Sequence, residues 1–341
     1  MSREDGPPEA ETRREIPQPR AVPQDRAATA FDPGGERFAL GDELGRGGMG
    51  RVVAATDRAL DREVAIKQAL TDDDVQLARF EREVRITARL EHPSIVPIHD
   101  AGRDRNGRPY YVMRRLDGEH LSDRVEAATT ARERLALVPN VLAAVDAAAF
   151  AHARKIIHRD IKPWNILVGA YGETLLIDWG LARELGEADD ADLPPSGGPA
   201  GLTRAGGVFG TAGYMAPEQA RGEAADARAD VYALGATLLH VLIGKSVLQG
   251  SSATAWIEDA GQGKAAAVAL PDEVPPELGA IVAKAMATDK AARYADASDL
   301  AADLRAFLAG KLVAAHRYTR RERFGRFVRK HKLALGIATA A

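Results

Sequence analysis

The chain reads as an α+β protein: a small antiparallel sheet with one helix, followed by a larger, mainly helical part. Three observations predict this. Between residues 38 and 116, short runs rich in Val, Ile, Tyr and Phe alternate with Gly, Asn and Asp turns, and a single stretch shows helical spacing. After Gly118 the segments become long and rich in Ala, Leu and Val, as buried helices are. The 341 residues, 45% hydrophobic and 28% charged, suffice for two or more domains or for one two-lobed globular unit with tails.

Residues 1–36 are rich in Pro, Glu and Arg and poor in large apolar side chains. Such a segment buries too little surface to offset its ordering entropy, so a disordered tail is predicted. Its first thirty residues lack the apolar core of a secretion signal. From Phe38, "RFALGDELGRGGMGRVVAATD" reads as strand, glycine turn, strand, with Val52, Val53 and Ala54 on the return. "REVAIKQAL" is a further strand. "VQLARFEREVRITARL" places Leu77, Phe80, Val84 and Ile86 near helical spacing and predicts an amphipathic helix. "IVPIHDAGRD" and "RPYYVMRRL" are two strands joined by a turn at Asn106–Gly107.

One long central helix is predicted over "RERLALVPNVLAAVDAAAFAHARK". Later helices fit "ARADVYALGATLLHVLIG", "PELGAIVAKAMA" and "ASDLAADLRAFLAG". Before them lies a long stretch, "ELGEADDADLPPSGGPAGLTRAGGVFG", with little apolar content; a loop of that length in a compact domain is functional or disordered.

The net charge of -3 gives no global pull toward nucleic acid. The absence of cysteine excludes disulfides, thiolate metal sites and cysteine nucleophiles. The end of the chain differs from the rest. "HRYTRRERFGRFVRKHK" is strongly basic with interleaved Phe324, Phe327 and Val328, and it meets the apolar run "LALGIATAA". Nine residues are too few for a bilayer span, which needs about 20. A basic cluster before an apolar run is nevertheless the pattern of a cytoplasmic membrane flank. Two readings stay open: the start of a truncated transmembrane helix, or an ordinary terminal helix.

Six stretches carry chemistry. "GRGGMGRV" supplies Gly45, Gly47, Gly48 and Gly50 before Val52; glycines let a hairpin backbone approach phosphates, although glycine turns are common in hairpins. The loop opens no helix, so a Rossmann site is disfavoured. "VAIK" puts Lys67 in an apolar strand, where burying it requires a partner. Glu83, on the helix that follows, is a candidate partner, and Glu81 lies on another face of that helix. "IIHRDIKPWNILVG" sets Asp160, Lys162 and Asn165 in a loop with apolar anchors at Ile157 and Leu167, and Pro163 prevents a helix. Asp160 suits a hydroxyl proton, Lys162 a phosphoryl charge and Asn165 a hard cation. "LLIDWG" ends an apolar strand in Asp178, a carboxylate placed for metal. "GTAGYMAPEQ" closes the long loop with Thr211, Pro217 and Glu218.

In this order and spacing the stretches match the protein-kinase signature set. The chain resembles the eukaryotic-like serine/threonine protein kinases of bacteria over roughly residues 38–308. The resemblance implies a bilobal protein-kinase-like fold over 37–310, with a small lobe at 37–116 and a large lobe at 117–310. A basic juxtamembrane-like segment at 311–332 and an apolar end at 333–341 would follow.

It also implies roles. Leu44, Gly45, Gly47, Gly48, Gly50 and Val52 would cover ATP. Lys67 would hold the α- and β-phosphates and pair with Glu83. Val52 and Ala65 above and Leu167 below would sandwich adenine, with Met113 behind and Arg114 to Leu116 as hinge. Asp160 would be the catalytic base, Lys162 would touch the γ-phosphate, and Asn165 and Asp178 would hold Mg²⁺ or Mn²⁺. Glu218 would pair with Arg293, and Asp230 would brace the catalytic loop. Arg159 would receive an activation-loop phosphate, for which Thr203, Thr211 and Ser196 are candidates. Lys162 and Thr211 point to Ser/Thr rather than Tyr acceptors.

The implied partners are protein substrates, ATP, an anionic membrane surface at the basic end and a second copy through the small lobe; no nucleic acid is expected. The implied location is cytoplasmic, with anchoring through a helix at or beyond residue 333. Two features depart from the family: Trp179 follows Asp178 where Phe is usual, and Arg114 and Arg115 occupy a hinge that is commonly acidic or apolar. A pseudokinase scaffold is the alternative reading, and a small-molecule phosphotransferase a more distant one.

Overall fold

The computed structural model describes residues 37–47, 50–186, 212–246 and 258–322. Its first part is a five-stranded antiparallel sheet in the order β1-β2-β3-β5-β4, built from β1 (Phe38–Gly47), β2 (Gly50–Asp57), β3 (Arg62–Ala69), β4 (Ile98–Arg103) and β5 (Pro109–Arg114). Helix α1 (Asp74–Ala88) joins β3 to β4. Its start is set by Asp73, whose side chain accepts from the Gln76 N–H at 2.9 Å, satisfying one of the orphan donors of a helix N-terminus.

Strand alternation sorts this sheet into two faces. Val53, Ala55, Val64, Ile66, Tyr110 and Val112 form one buried cluster with Phe38. The intervening residues, including Ala54, Ala65, Lys67, Tyr111 and Met113, take the other face. On that face Phe80 of α1 packs with Ala69 and Tyr111.

The second part is mainly helical, with α2 (Leu121–Ala127), α3 (Ala131–Leu135), α4 (Val138–His152), α5 (Pro217–Ala220), α6 (Ala227–Ile243), α7 (Pro276–Ala285) and α8 (Ala297–Leu308). Short strands β6 (Gly118–His120), β8 (Ile166–Gly169) and β9 (Thr174–Leu176) form a small sheet, and β7 (Ile156–Ile157) pairs with β10 (Arg183–Glu184). α6 is the hub: fourteen of its seventeen residues are buried, so its few polar groups must find internal partners. It ends where Gly244 takes a left-handed conformation, φ 74°. Among the described residues one span, residues 131–152, is long and apolar enough to cross a membrane by composition; here α4 packs against α6 and α8 in the core.

The helical and strand segments expected from sequence are present, and the bilobal architecture holds. The central helix differs in one respect. It is two helices, α3 and α4, separated at Ala136–Leu137, because Pro139 near the start of α4 has no N–H to continue the ladder. The short strands β6, β7 and β10 and helix α2 have too few residues to show a period. Residues 1–36 and 323–341, with the tail, the apolar end and the second part of the basic segment, lie outside the described residues.

Candidate active site

The glycine hairpin does two different jobs. Gly45 pairs with Val52 and Gly47 with Gly50 across β1 and β2. A Cβ at Gly45 or Gly47 would meet nothing within 4 Å, whereas one at Gly50 would fall 2.2 Å from the Gln68 carbonyl oxygen. Gly50 is therefore required by the close approach of β3, and the first two glycines leave open space. Gly48 lies outside the described residues.

Lys67 and Glu83 meet beneath that hairpin, with Nζ 2.6 Å from Oε1. Glu83 is almost wholly buried, and Asp178 Oδ1 lies 3.7 Å from the same lysine. Glu81, the other acid considered, faces outward to Arg103 and Arg85. Burial alone would lower the Lys67 pKa; Tyr111, Glu83 and Asp178 outweigh it and hold the ammonium firmly charged.

The loop after β7 presents the second group. Lys162 Nζ donates to Asp160 Oδ2 at 2.9 Å and to Oδ1 at 3.1 Å. The Asn165 amide nitrogen donates to the Asp160 carbonyl at 2.7 Å and to Oδ2 at 3.1 Å. The Asn165 backbone carbonyl accepts from Ile177 N–H at 2.9 Å, which sets Asp178 one residue from this loop. Burial raises the Asp160 carboxyl above its ordinary range; Lys162 opposes that shift and Asp178 adds to it. Desolvation also acts on Asp178, yet Lys67, His158 and Lys162 keep its carboxyl low and ionised.

The loop is braced from below. Asp230, in the first turn of α6, accepts from His158 N–H at 2.7 Å and from Arg159 N–H at 2.8 Å. His152 Nε2 lies 2.9 Å from the same carboxylate, and its Nδ1 accepts from Ala297 N–H. Nδ1 thus carries no proton, so Nε2–H is the donor to Asp230. These bonds hold Arg159 at φ 71°, and Asp178 sits at φ 63°; both are strained positions for residues with a Cβ. Trp179 is fully buried, its ring 4.5 Å from that of His158 and its Nε1–H donating to the Leu176 carbonyl. The indole is thereby accommodated with its one polar atom satisfied.

The nucleotide-facing apolar residues converge by strand alternation. Ala65 pairs with Met113, and Leu167 projects opposite to the buried Ile166 and Val168. Val52, Met113, Leu116 and Leu167 are half-buried, Ala65 is buried and Leu44 is exposed. The hinge arginines point to acids: Arg114 to Glu173 at 3.7 Å, Arg115 to Glu63 at 3.3 Å and to Asp117 at 3.0 Å. Glu218 and Arg293 form a buried bidentate pair at 2.7 and 2.9 Å. Ser196, Thr203 and Thr211 lie outside the described residues.

Sequence reasoning missed Tyr111, whose hydroxyl donates to Glu83 Oε1 at 2.8 Å, and missed His152. It also missed the buried bond of Tyr214 to His240 Nδ1 at 2.5 Å beside Trp164; burial lowers the His240 pKa to about 4, so that imidazole is neutral at physiological pH. Only the register Lys67↔Tyr111 would have flagged the first, and register is invisible in a lone strand.

Among the described residues no cluster of three or more His, Cys, Asp and Glu is placed to hold a metal. Mg²⁺ shared with phosphates needs less: one or two protein oxygens, the rest from phosphate and water. Asp178 and Asn165 fit that requirement. The carboxylate is ionised, and the amide nitrogen is committed to Asp160, leaving the amide oxygen as the end for a cation.

A glycine hairpin over open space, a strand lysine paired with a helix glutamate and a braced Asp-Lys-Asn loop define a protein kinase domain. A family model of the protein kinase domain matches residues 38–303, and the chain belongs to that family. It is 38% identical over 298 residues to the probable serine/threonine-protein kinase PknB of Bifidobacterium longum, covering 82% of this chain and 41% of that protein. Identity to the serine/threonine-protein kinase PknB of Mycolicibacterium smegmatis is 37% over 276 residues, and to that of Mycobacterium tuberculosis 35% over 278 residues; each match covers 79% of this chain and 42% of the relative. The chain thus spans about two fifths of the length of these curated relatives.

Proposed function

We propose that the chain is a serine/threonine protein kinase that transfers the γ-phosphate of ATP to protein hydroxyls. The observation that carries this is the convergence on one cleft of Lys67, held by Glu83 at 2.6 Å and 3.7 Å from Asp178, with the Asp160-Lys162-Asn165 loop. Gly45 and Gly47 leave room for the phosphates, with Leu44, Gly48, Gly50 and Val52 completing the cover. Ala65, Met113, Leu116 and Leu167 line the adenine slot.

Asp160 accepts the proton of the Ser or Thr hydroxyl as its oxygen bonds to phosphorus and the bond to the β-phosphate oxygen breaks. Lys162, already against Asp160, offsets charge on the transferring group. Lys67 fixes the α- and β-phosphates. Asn165 and Asp178 would hold Mg²⁺ or Mn²⁺, which when bound neutralises charge on the phosphate oxygens. His158, Arg159, Asp230 and the Glu218–Arg293 pair position the loop and take no chemical part. Thr203 is the proposed autophosphorylation site, with Arg159 as receiver and Thr211 as acceptor-side contact. The basic segment from 311 onward is proposed to meet an anionic lipid surface.

The test is transfer of label from ATP to protein, with and without Mg²⁺, in wild type, Lys67→Met and Asp160→Asn. Loss of the carboxylate base should cost about 10²–10⁴-fold. Equal turnover in Asp160→Asn, or label mainly on tyrosine, would refute the proposal.

A further inference from the structure

We infer that Tyr111 is a positioning residue: its hydroxyl anchors Glu83 and so holds α1 in the position where Lys67 meets phosphate. The inference rests on the kinase reading for the role of Lys67, while the anchoring itself requires no phosphoryl transfer.

Lys67 on β3 and Tyr111 on β5 are register partners, so their side chains leave the sheet on the same face, beneath α1. Tyr111 donates to Glu83 Oε1 at 2.8 Å, the same oxygen that Lys67 approaches at 2.6 Å. The other oxygen, Oε2, is buried and has no hydrogen-bond partner among the described residues. The carboxylate is therefore held at one oxygen by two groups.

Lys67 is shared, because Asp178 stands 3.7 Å away and phosphate would draw on it further. Tyr111 is not shared. When Lys67 turns outward, the Tyr111 hydroxyl is the donor that keeps the buried carboxylate satisfied, and with it the inward pose of α1. The ring is seated by Phe80, with centroids 5.5 Å apart, and is 4% exposed. Burial and Glu83 both push the phenol pKa up, so the hydroxyl remains a donor at any working pH.

A plain core role is the competing explanation. The neighbours Ala69, Phe80, Leu77, Val84, Ile98 and Met113 are apolar, and Phe would pack there equally well. The hydroxyl would then be a cost. It is instead directed at the one carboxylate on this face that Lys67 needs.

Tyr111→Phe keeps the ring and removes the bond. A charge-assisted hydrogen bond lost from one of two states shifts their ratio by about tenfold or more. Apparent affinity scales with the competent fraction. The dissociation constant of a fluorescent Mg-ATP analogue should rise, by up to about tenfold, and the KM for ATP with it, while kcat stays within about twofold. Amide exchange across residues 74–88 should quicken by about the same factor with β5 protection unchanged. In a Glu83→Ala background the same substitution should change neither quantity.

Unchanged nucleotide affinity and unchanged α1 exchange in Tyr111→Phe would overturn the inference. So would an equal effect in the Glu83→Ala background, or a fall in kcat at constant KM, the mark of simple loss of folded enzyme. A wild-type protein that binds nucleotide yet labels no protein would sink the kinase reading alone, because the binding and exchange readouts still decide on Tyr111.

Discussion

Asp160 illustrates how single residues are tuned by opposed influences. Burial lifts its carboxyl pKa, the Lys162 ammonium at 2.9 Å pulls it down, and Asp178 pushes it up again. A base must be ionised to act, so activity is lost as pH falls through the folded-state pKa. The acid limb of the kcat/KM profile is therefore expected above the ordinary aspartate value of about 4. Lys162→Ala removes the opposing cation, and the limb of the residual activity should move to higher pH. An unmoved limb would show that another group sets it. Trp179 belongs to the same scale. Its indole N–H has a carbonyl partner and its ring rests on His158, so the larger side chain is housed without an unsatisfied donor.

The glycine hairpin separates two requirements within one element. At Gly50 any side chain would strike the β3 backbone, 2.2 Å from Gln68 O. At Gly47 a methyl group would meet nothing within 4 Å. Gly50→Ala should therefore destabilise the small lobe by about 1–3 kcal/mol, the usual cost of overpacking. Gly47→Ala should leave the melting temperature within about a degree and act on ATP affinity alone. Thermal melts with a nucleotide-binding titration on both variants test the pair. Equal destabilisation would mean that both glycines are structural.

Across the whole molecule the lobes are tied at several points. The Ser94 carbonyl accepts from Leu176 N–H at 2.8 Å, Arg89, just past the end of α1, reaches Glu184 of β10 at 3.1 Å, and Lys67 faces Asp178. The hinge arginines belong to this set. Arg114 reaches Glu173 in the turn between β8 and β9, and Arg115 reaches Glu63 on β3. Arg114 is about half exposed, so its pair is screened and worth at most about 1 kcal/mol. Arg114→Ala should change urea stability by less than about 1 kcal/mol and nucleotide affinity by less than about twofold, with both effects fading at high salt. A loss of nucleotide affinity of tenfold or more would instead assign the arginine to the ligand.

Much of this molecule is written in local pattern. The five strands of the small sheet, α1, α6, α7 and α8 follow from periodicity and from Gly and Pro punctuation, each of which acts within a few residues. The order and spacing of the six stretches, from the glycine hairpin to Glu218, were enough to indicate the family. Other features depend on side chains that meet only after folding. Glu83 is already favoured over Glu81 by its face of the helix and by the resemblance, and the structure shows why, since the sheet covers the Glu83 face of α1. The break between α3 and α4 came from Pro139 acting on an otherwise continuous apolar pattern. Tyr111, His152 and His240 acquired partners 28, 78 and 26 residues away, at distances set by strand register and helix packing. A one-residue slip of β5 would have turned Tyr111 to the other face of the sheet. Sequence by itself determined the elements and the chemical groups, because those depend on neighbours along the chain. Tertiary structure alone decided which donor faces which acceptor, because burial forces each polar group to find a partner across space.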